Sequence, residues 1–132
     1  MSASNVIMAI VDGVREGGST YHLDNGKRTR EDGGFIVALG LTIPTKVIPA
    51  HKVSLEGGSI LSEAFEFVKE NEAELSREDR YFGTWIDERD GQMHLDVVQV
   101  VDSYLEAWSL AQERGELAFW DIQGDKEVRL PV

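Results

Sequence analysis

The sequence predicts an α+β fold: a single domain with a mainly antiparallel sheet of about five to six strands, flanked by three helices. Two observations lead to this prediction. Helical and strand-like segments do not alternate regularly, as they would in a parallel β–α–β protein, and residues 81–122 read as a strand–turn–strand–helix–strand unit. At 132 residues, 42% of them hydrophobic, the chain 1–132 has the size and composition of one domain with its own core.

The N-terminal segment 5–16 has the spacing of an amphipathic helix. Its apolar residues recur at i, i+3, i+4 and i+7, namely Ile7, Ile10, Val11 and Val14. The pair Gly17-Gly18 provides a natural stop. Because the same run is rich in β-branched residues, a strand over residues 6–11 that turns at Asp12-Gly13 is the alternative.

The middle of the chain predicts short strands and one helix. Strands are expected over residues 19–23, 35–39 and 46–48, where apolar and β-branched residues cluster. The second helix is predicted over residues 59–75, with Ser59 as its N-cap. Its buried stripe is expected to consist of Leu61, Ala64, Phe65 and Val68.

The unit 81–122 carries the clearest local signals. Asp90-Gly91 is a pair that supplies the positive φ of a tight hairpin. Ser103 opens a capping box at the start of the helix, and Gly115 is a left-handed stop at its end. The charged residues 123–132 that follow are predicted to be a frayed tail.

The charge of the chain is strongly negative and unevenly distributed. The net charge is −11: residues 1–53 carry +1, residues 54–80 carry −5 and residues 81–132 carry −7. Such a surface repels phosphate, which argues against direct binding of nucleic acid. No apolar run approaches the roughly 20 residues of a membrane span, and the first residues lack the basic region of a secretory signal, so we expect a cytoplasmic protein that does not bind membranes.

The chain offers one weak candidate for a catalytic site. His94 and Asp96 are two residues apart on a predicted strand and therefore share a face, and Asp121 on a later strand could join them. Such a set would suit a small metal-dependent hydrolase or nuclease, although two polar residues on a solvent face are the plainer interpretation. We expect no metal site and no cofactor, because the chain has no cysteine and none of its histidines has ligand spacing: His22, His51 and His94.

The three tryptophans, Trp85, Trp108 and Trp120, are interpreted as core or half-buried residues of strands and of a helix. A platform for stacked bases would have them interleaved with lysine and arginine. Their neighbours in the sequence are acidic instead. The tryptophans therefore do not predict a nucleic-acid site.

Three stretches combine glycine, aromatic and β-branched residues in a distinctive order. They are Gly17–Tyr21 followed by Gly26 and Gly34–Ala38, then Tyr81–Asp87 followed by Leu95–Val97, and finally Ala118–Ile122. In these stretches the chain resembles a family of small uncharacterised α+β proteins from actinobacteria and actinophages, and we expect a similar module within large multi-domain mobile-element proteins. The resemblance implies an α+β fold and a phage or mobile-element origin, and it implies no activity.

We expect a non-enzymatic, acidic accessory protein that binds a protein partner with a basic surface. The candidate interaction surface consists of acidic residues from the second helix and the hairpin turn: Glu66, Glu70, Glu74, Asp87, Glu88 and Asp90. One alternative is an inhibitor that mimics nucleic acid and blocks a host defence or DNA-binding protein, and another is the hydrolase or nuclease at His94. The basic cluster Lys27–Arg30 is compatible with a homodimer in which it meets the acidic half of a second copy.

Overall fold

The computed structural model describes residues 2–26, 33–40 and 43–131, so the basic cluster Lys27–Arg30 lies outside the described residues. The described helices are α1 (Ala3–Glu16), α2 (Ser59–Glu70), α3 (Glu72–Leu75) and α4 (Tyr104–Glu113). The strands are β1 (Gly18–Tyr21), β2 (Phe35–Ala38), β3 (Lys46–Ile48), β4 (Arg80–Ile86), β5 (Met93–Val101), β6 (Ala118–Asp121) and β7 (Lys126–Arg129). The predicted α+β fold is confirmed, and the described residues form seven strands and four helices where five to six strands and three helices were expected.

The strands form one antiparallel sheet in the order β1-β4-β5-β2-β6-β7, and β3 also pairs with β5. Strand β5 is nine residues long and pairs with two different strands along one edge. Its first half pairs with β3, ending at Lys46 opposite Leu95, and its second half pairs with β2, starting at Ala38 opposite Val98. Asp96 therefore lies at a gap between β2 and β3, where none of the described strands pairs with that side of β5.

Two apolar clusters fill the space between the helices and one face of the sheet. The larger cluster joins α1 and α2 to the sheet and includes Ile10, Ile60, Phe67, Phe82, Met93 and Leu95. The smaller cluster joins α4 to the sheet and consists of Val37, Val101, Ala107, Ala111 and Phe119. Both clusters draw on odd-numbered residues of β5, so this face carries the core.

The N-terminal segment is a helix, and the alternative of a strand over residues 6–11 is wrong. The helix ends at Gly17, whose φ is 86° and whose N–H bonds the carbonyl of Gly13. Gly13 also explains how closely α1 approaches β4. A Cβ at this position would lie 2.3 Å from the Oγ1 atom of Thr84, so only glycine lets the helix pack at this distance.

The second helix differs from its prediction in three details. It is broken at Asn71, which separates α2 from α3, and its N-cap is Gly58 rather than Ser59. The buried residues are Ile60, Ala64, Phe67 and Val68, whereas Phe65 is exposed. The stripe is rotated because the Phe67 ring packs on Phe82, at 5.9 Å between ring centroids.

The C-terminal unit confirms the two predicted glycines and Ser103 as the N-cap of α4. Gly91 has a φ of 72° in the turn between β4 and β5, and Gly115 has a φ of 72° after α4. The Ser103 hydroxyl accepts a hydrogen bond of 3.3 Å from the backbone N–H of Glu106. Local sequence chemistry therefore determines both ends of this unit.

The prediction of a frayed tail over residues 123–132 is wrong. After a turn at residues 122–125 the chain forms β7, which pairs with β6 along its whole length. Val128 and Leu130 pack against the smaller cluster, and the Leu130 N–H bonds the Leu117 carbonyl at 2.9 Å. The apolar side chains of Val128 and Leu130, which lie between charged residues in the sequence, therefore hold this segment against the sheet.

Candidate functional site

The second face of the sheet carries no described helix, and we call it the open face. Because side chains alternate along a strand, the even-numbered residues of β5 point away from both apolar clusters. The register places Trp85 beside His94 on this face, and it places Trp120 beside Ile36, which in turn lies beside Val100. Trp85 is 44% exposed and Trp120 is 40% exposed.

A groove of about 560 Å³ lies on the open face. One side is formed by Trp85 and His94, whose rings stack with centroids 4.1 Å apart and planes at 15°. Small residues such as Ala38 and Ala118 line part of it, so the sheet itself is accessible there. The remaining lining residues come from the residue before β3, from β5 and β7, and from the segment that leads into β6: Thr45, Asp96, Gly115, Glu116, Leu117, Glu127 and Arg129.

Asp96 occupies the gap between β2 and β3 and is held in place by two donors. The Thr45 hydroxyl donates a hydrogen bond to its Oδ1 atom, and the Trp85 side chain donates a second one. Burial nevertheless raises the pKa of Asp96 above its ordinary value of 3.8, because desolvation outweighs these donors and the nearby His94. The structure therefore holds a carboxylate that is costly to keep charged.

Glu116 brings a second carboxylate into the same groove. Burial raises the pKa of Glu116 above its ordinary value of 4.5, and the charge of Asp96 adds to this effect. Arg114 and the backbone N–H of Gly40 act in the opposite direction but do not cancel it. The two acids are therefore close enough for the charge of one to affect the other.

The rim of the groove carries an ion pair that is already satisfied. On β7, the Nε atom of Arg129 lies 2.7 Å from the Oε1 atom of Glu127. Within the described residues, no lysine or arginine forms such a contact with Asp96 or Glu116. Neither carboxylate therefore has a direct ion pair in the described residues, and both line the same groove as the exposed indole of Trp85.

The structure brings together two of the three candidate catalytic residues. His94 and Asp96 both line the groove, and the Nε2 atom of His94 is buried with no hydrogen-bond partner among the described residues. Asp121 lies opposite Phe35, on the face that carries the core, and its carboxylate caps the N–H of Gly124 at 3.0 Å. In the described ranges, no group of three His, Asp or Glu side chains could hold a metal ion.

The acidic residues proposed as an interaction surface do not form one patch. Glu66, Glu70, Glu88 and Asp90 are exposed. Glu74 bonds Arg80 at 2.7 Å, and Asp87, which has only 9% of its side chain exposed, bonds Arg89 at 2.8 Å. Arg80 and Asp87 mark the two ends of β4, which at ~3.3 Å per residue lie roughly 23 Å apart. The hairpin acids and Glu74 therefore belong to different ends of the sheet.

The groove was not predicted from the sequence, because the tryptophans were interpreted as core or half-buried residues. Trp108 does pack against the smaller cluster, but Trp85 and Trp120 are exposed. The alternation of side chains along β4 could have predicted that Trp85 lies on the open face. Phe82 and Thr84 are buried, and Trp85 points to the opposite side of the strand. No local signal points to Thr45 or Glu116, which reach the groove from distant segments.

The chain was compared with family models, curated proteins and solved structures. No family model, no curated protein and no solved structure matches it at a significant level. In the part of the chain that the structure describes, no helix has the length and apolar character to cross a membrane. Function must therefore be argued from the site itself.

Proposed function

We propose that the protein is a non-enzymatic accessory protein that binds a protein partner through the open face. One observation carries this proposal: Trp85 and Trp120 are both exposed on a sheet face that no described helix covers. Tryptophan is enriched at the centres of protein interfaces and is costly to leave in water. From strand spacing and rise, the two indoles lie roughly 24 Å apart, a span that suits an interface burying about 800 Å² per partner.

The net charge points to the kind of partner. With 24 acidic and 13 basic residues, the chain attracts a basic surface and repels an acidic one. Charge complementarity of this kind mainly accelerates association and excludes wrong partners. The exposed indoles of the open face would supply the affinity, and the negative charge of the chain would select the partner.

The alternative of a metal-dependent hydrolase or nuclease has less support. Asp121 lies on the opposite face from His94 and Asp96, and the described residues offer no three-ligand group for a metal. If a divalent metal bound at His94, it would raise the melting temperature. Melting curves that coincide with and without divalent metals would count against this alternative.

The alternative of a nucleic-acid mimic requires carboxylates in rows at phosphate-like spacing. Glu74 and Asp87 are paired with arginines and lie at different ends of β4, so they do not extend such rows. A phage or mobile-element origin rests on the resemblance in sequence and stays a prediction. A homodimer is a further alternative, which predicts contacts between copies at the same face.

Site-specific photo-crosslinking in cells of the native host tests the proposal. A benzophenone amino acid replaces Trp120 on the open face, and a matched variant carries it at Phe65, an apolar residue that is 36% exposed on α2. We expect a discrete crosslinked protein from position 120 only. The unlabelled wild-type chain should compete for it, and a chain with both Trp85→Ala and Trp120→Ala should not.

Three results of this experiment would contradict the proposal. The same product from both positions would show that binding is not directed by the open face. Products that contain only a second copy of the chain would favour the homodimer. Undiminished competition by the double variant would show that the two tryptophans do not contribute.

A further inference from the structure

We propose that β7 pairs with β7 of a second copy of this chain, antiparallel and centred on Val128, so that the two sheets join at this edge. The proposal goes beyond the partner of the open face, because a contact at the edge leaves that face uncovered in both copies. Strand β7 stands last in the sheet order, and among the described strands it pairs with β6 alone. Its outer edge is therefore a place where a further strand can add to the sheet.

The backbone of β7 presents hydrogen-bonding groups at this outer edge. The Leu130 N–H bonds the Leu117 carbonyl at 2.9 Å, so the backbone groups of Leu130 point toward β6. Because successive residues of a strand point these groups to opposite sides, Val128 also bonds β6, whereas Glu127 and Arg129 direct their N–H and C=O groups outward. A second antiparallel strand must therefore place its own outward residues opposite Glu127 and Arg129.

The charges on β7 select one register for such a pair. In the register centred on Val128, Glu127 of each copy lies opposite Arg129 of the other, so two opposite-charge pairs form. The registers centred on Lys126, Glu127 or Arg129 satisfy the same backbone pattern, but each places a charged side chain opposite its own counterpart. Charged residues at a sheet edge ordinarily prevent pairing with another chain. Here they exclude the other registers and favour one.

Both charged side chains are accessible to a second copy. The side chain of Glu127 is 49% exposed and that of Arg129 is 74% exposed, although the two form an ion pair of 2.7 Å along the strand. In the dimer the four side chains alternate in sign, so each charge gains an opposite neighbour across the strands and keeps the one along its own strand. Such networks contribute more than an isolated surface pair.

The opposite face of β7 brings apolar side chains together. Val128 and Leu130 are half-buried against the smaller cluster. Val128 and its counterpart form a non-hydrogen-bonded pair in the proposed register, in which the Cα atoms are about 4.5 Å apart and the side chains approach most closely. Pairing at this edge therefore extends the smaller cluster from one copy to the other.

The contact is short, so we expect a weak dimer. Strand β7 has four residues. Before it, Asp125 has a φ of 51° in the turn, and after it, Pro131 has no N–H to donate. An edge of this length buries less than the roughly 800 Å² per partner of a standard interface. The dissociation constant should be roughly 0.1 mM.

Sedimentation equilibrium of the purified chain tests for this dimer and for the role of its charges. Between about 10 μM and about 1 mM protein, we expect the mass to rise from that of one copy toward that of two. Glu127→Arg and Arg129→Glu should each weaken the dimer at least ~10-fold, because both replace opposite-charge pairs by like-charge ones. The double variant that carries both changes should bind within ~3-fold of the wild type, since the two charges are only exchanged.

Matched controls on α2 separate the register from the net charge. Glu70→Arg and Lys69→Glu, both at exposed positions, change the net charge by the same amounts as the two β7 variants. They should dimerise within ~3-fold of the wild type, because they lie outside the contact. Melting temperatures of all variants within ~3 °C of the wild type exclude unfolding as the cause of a lost dimer.

A single cysteine reports the register directly, because the chain has no cysteine of its own. Val128→Cys places two thiols opposite each other, and mild oxidation should link the copies at least ~10-fold faster than in Glu127→Cys. In the proposed register the two copies of position 127 lie roughly 9 Å apart, beyond the ~7 Å between Cα atoms that a disulfide spans.

The proposal fails if the chain stays monomeric at about 1 mM. It also fails if the single charge variants of β7 dimerise as well as the wild type, since the edge would then not be the contact. A double variant that stays monomeric, or a faster disulfide in Glu127→Cys than in Val128→Cys, would overturn the register centred on Val128 and with it the proposed pairing.

Discussion

Replacement of Arg80 by methionine tests how the two apolar clusters are joined. Arg80 begins β4 and is 7% exposed, although it is charged. Its Nε atom lies 2.7 Å from Glu74, and its Nη1 atom lies 2.7 Å from Asp79. Its strand neighbour Gln99 separates the β5 residues of the larger cluster from those of the smaller one, so the guanidinium lies at the boundary between them.

The bonds of Arg80 continue into a chain of polar side chains. The amide of Gln99 donates to Asp79 at 2.8 Å and accepts from Arg114 at 2.6 Å. Arg114 also donates to the carbonyl of Ala38 at 3.2 Å, so the chain connects α3, β4, β5, α4 and β2. Such networks are strongly coupled, and removal of one member affects the others.

The expected loss of stability follows from these contacts. Two charge-assisted hydrogen bonds would contribute about 3–6 kcal/mol if both partners were buried. The side chains of Glu74 and Asp79 are 28% and 46% exposed, so water replaces much of what they lose. Methionine also keeps the apolar part of the side chain and avoids the desolvation of a guanidinium. We therefore expect Arg80→Met to lower the free energy of unfolding by about 1–2 kcal/mol, and Arg80→Ala by about 2–4 kcal/mol.

Urea unfolding at pH 7, followed by circular dichroism, measures both losses as a lower midpoint with an unchanged slope. A double-mutant cycle of Arg80→Met with Glu74→Gln should give a coupling energy of about 1 kcal/mol. The coupling should persist in 0.5 M salt, since the Arg80 side chain is only 8% exposed. A coupling below ~0.3 kcal/mol, or one that high salt abolishes, would show that the pair behaves like an ordinary surface ion pair and would refute this reasoning.

Three further changes have defined outcomes. Arg89 lowers the pKa of Asp87 to about 2. The stability that this pair adds above pH ~4 is therefore lost as the pH falls toward 2. Asp87→Asn should remove this loss, so the melting temperature should depend less on pH at the acid end. Gly13→Ala should cost about 1–3 kcal/mol in urea unfolding because its Cβ meets Thr84, and Thr84→Ala should reduce that cost. Asp96→Asn should raise the melting temperature by roughly 2–5 °C at pH 7, a gain that shrinks as falling pH protonates the wild-type carboxyl group.

The elements that could be predicted from the sequence are those whose signals are local. Gly17, Ser103 and Gly115 each act on the adjacent turn of one helix, and the structure uses all three as expected. The turn at Asp90-Gly91 is determined in the same way. In each case the physical requirement, a positive φ or an unsatisfied backbone N–H, is met by a residue within a few positions.

The elements that were missed depend on pairing between distant segments. Strand β7 has charged residues at three of its four positions, and only its pairing with β6 and the contacts of Val128 explain why it is ordered. The prediction that Asp121 could join His94 and Asp96 failed for a related reason. Its face is determined by its partner Phe35 on β2, about 86 residues earlier in the chain, and a shift of one residue would have moved it to the open face.

The groove could be predicted only in part. The two-residue spacing of His94 and Asp96 places them on one face of any strand. Whether that face meets helices or solvent depends on the side of the sheet on which α1, α2 and α4 pack, which no single strand encodes. Trp85 is exposed because its neighbour on β1 is Gly18, a contact between residues that lie 67 positions apart. The chemistry of the groove is therefore a property of the assembled sheet.

The open face combines two features that oppose folding stability at the same place. Exposed indoles at Trp85 and Trp120 leave large apolar surfaces in water, and the buried carboxyl group of Asp96 is costly to ionise. Either feature alone is common in folded proteins. Their occurrence together beside an internally neutral Glu127–Arg129 pair is hard to explain by folding, because an asparagine at position 96 would keep the hydrogen bond from Thr45 without the charge. A partner that covers the indoles and neutralises the carboxylate accounts for both costs at once, which is why we favour binding over a purely structural role for this face.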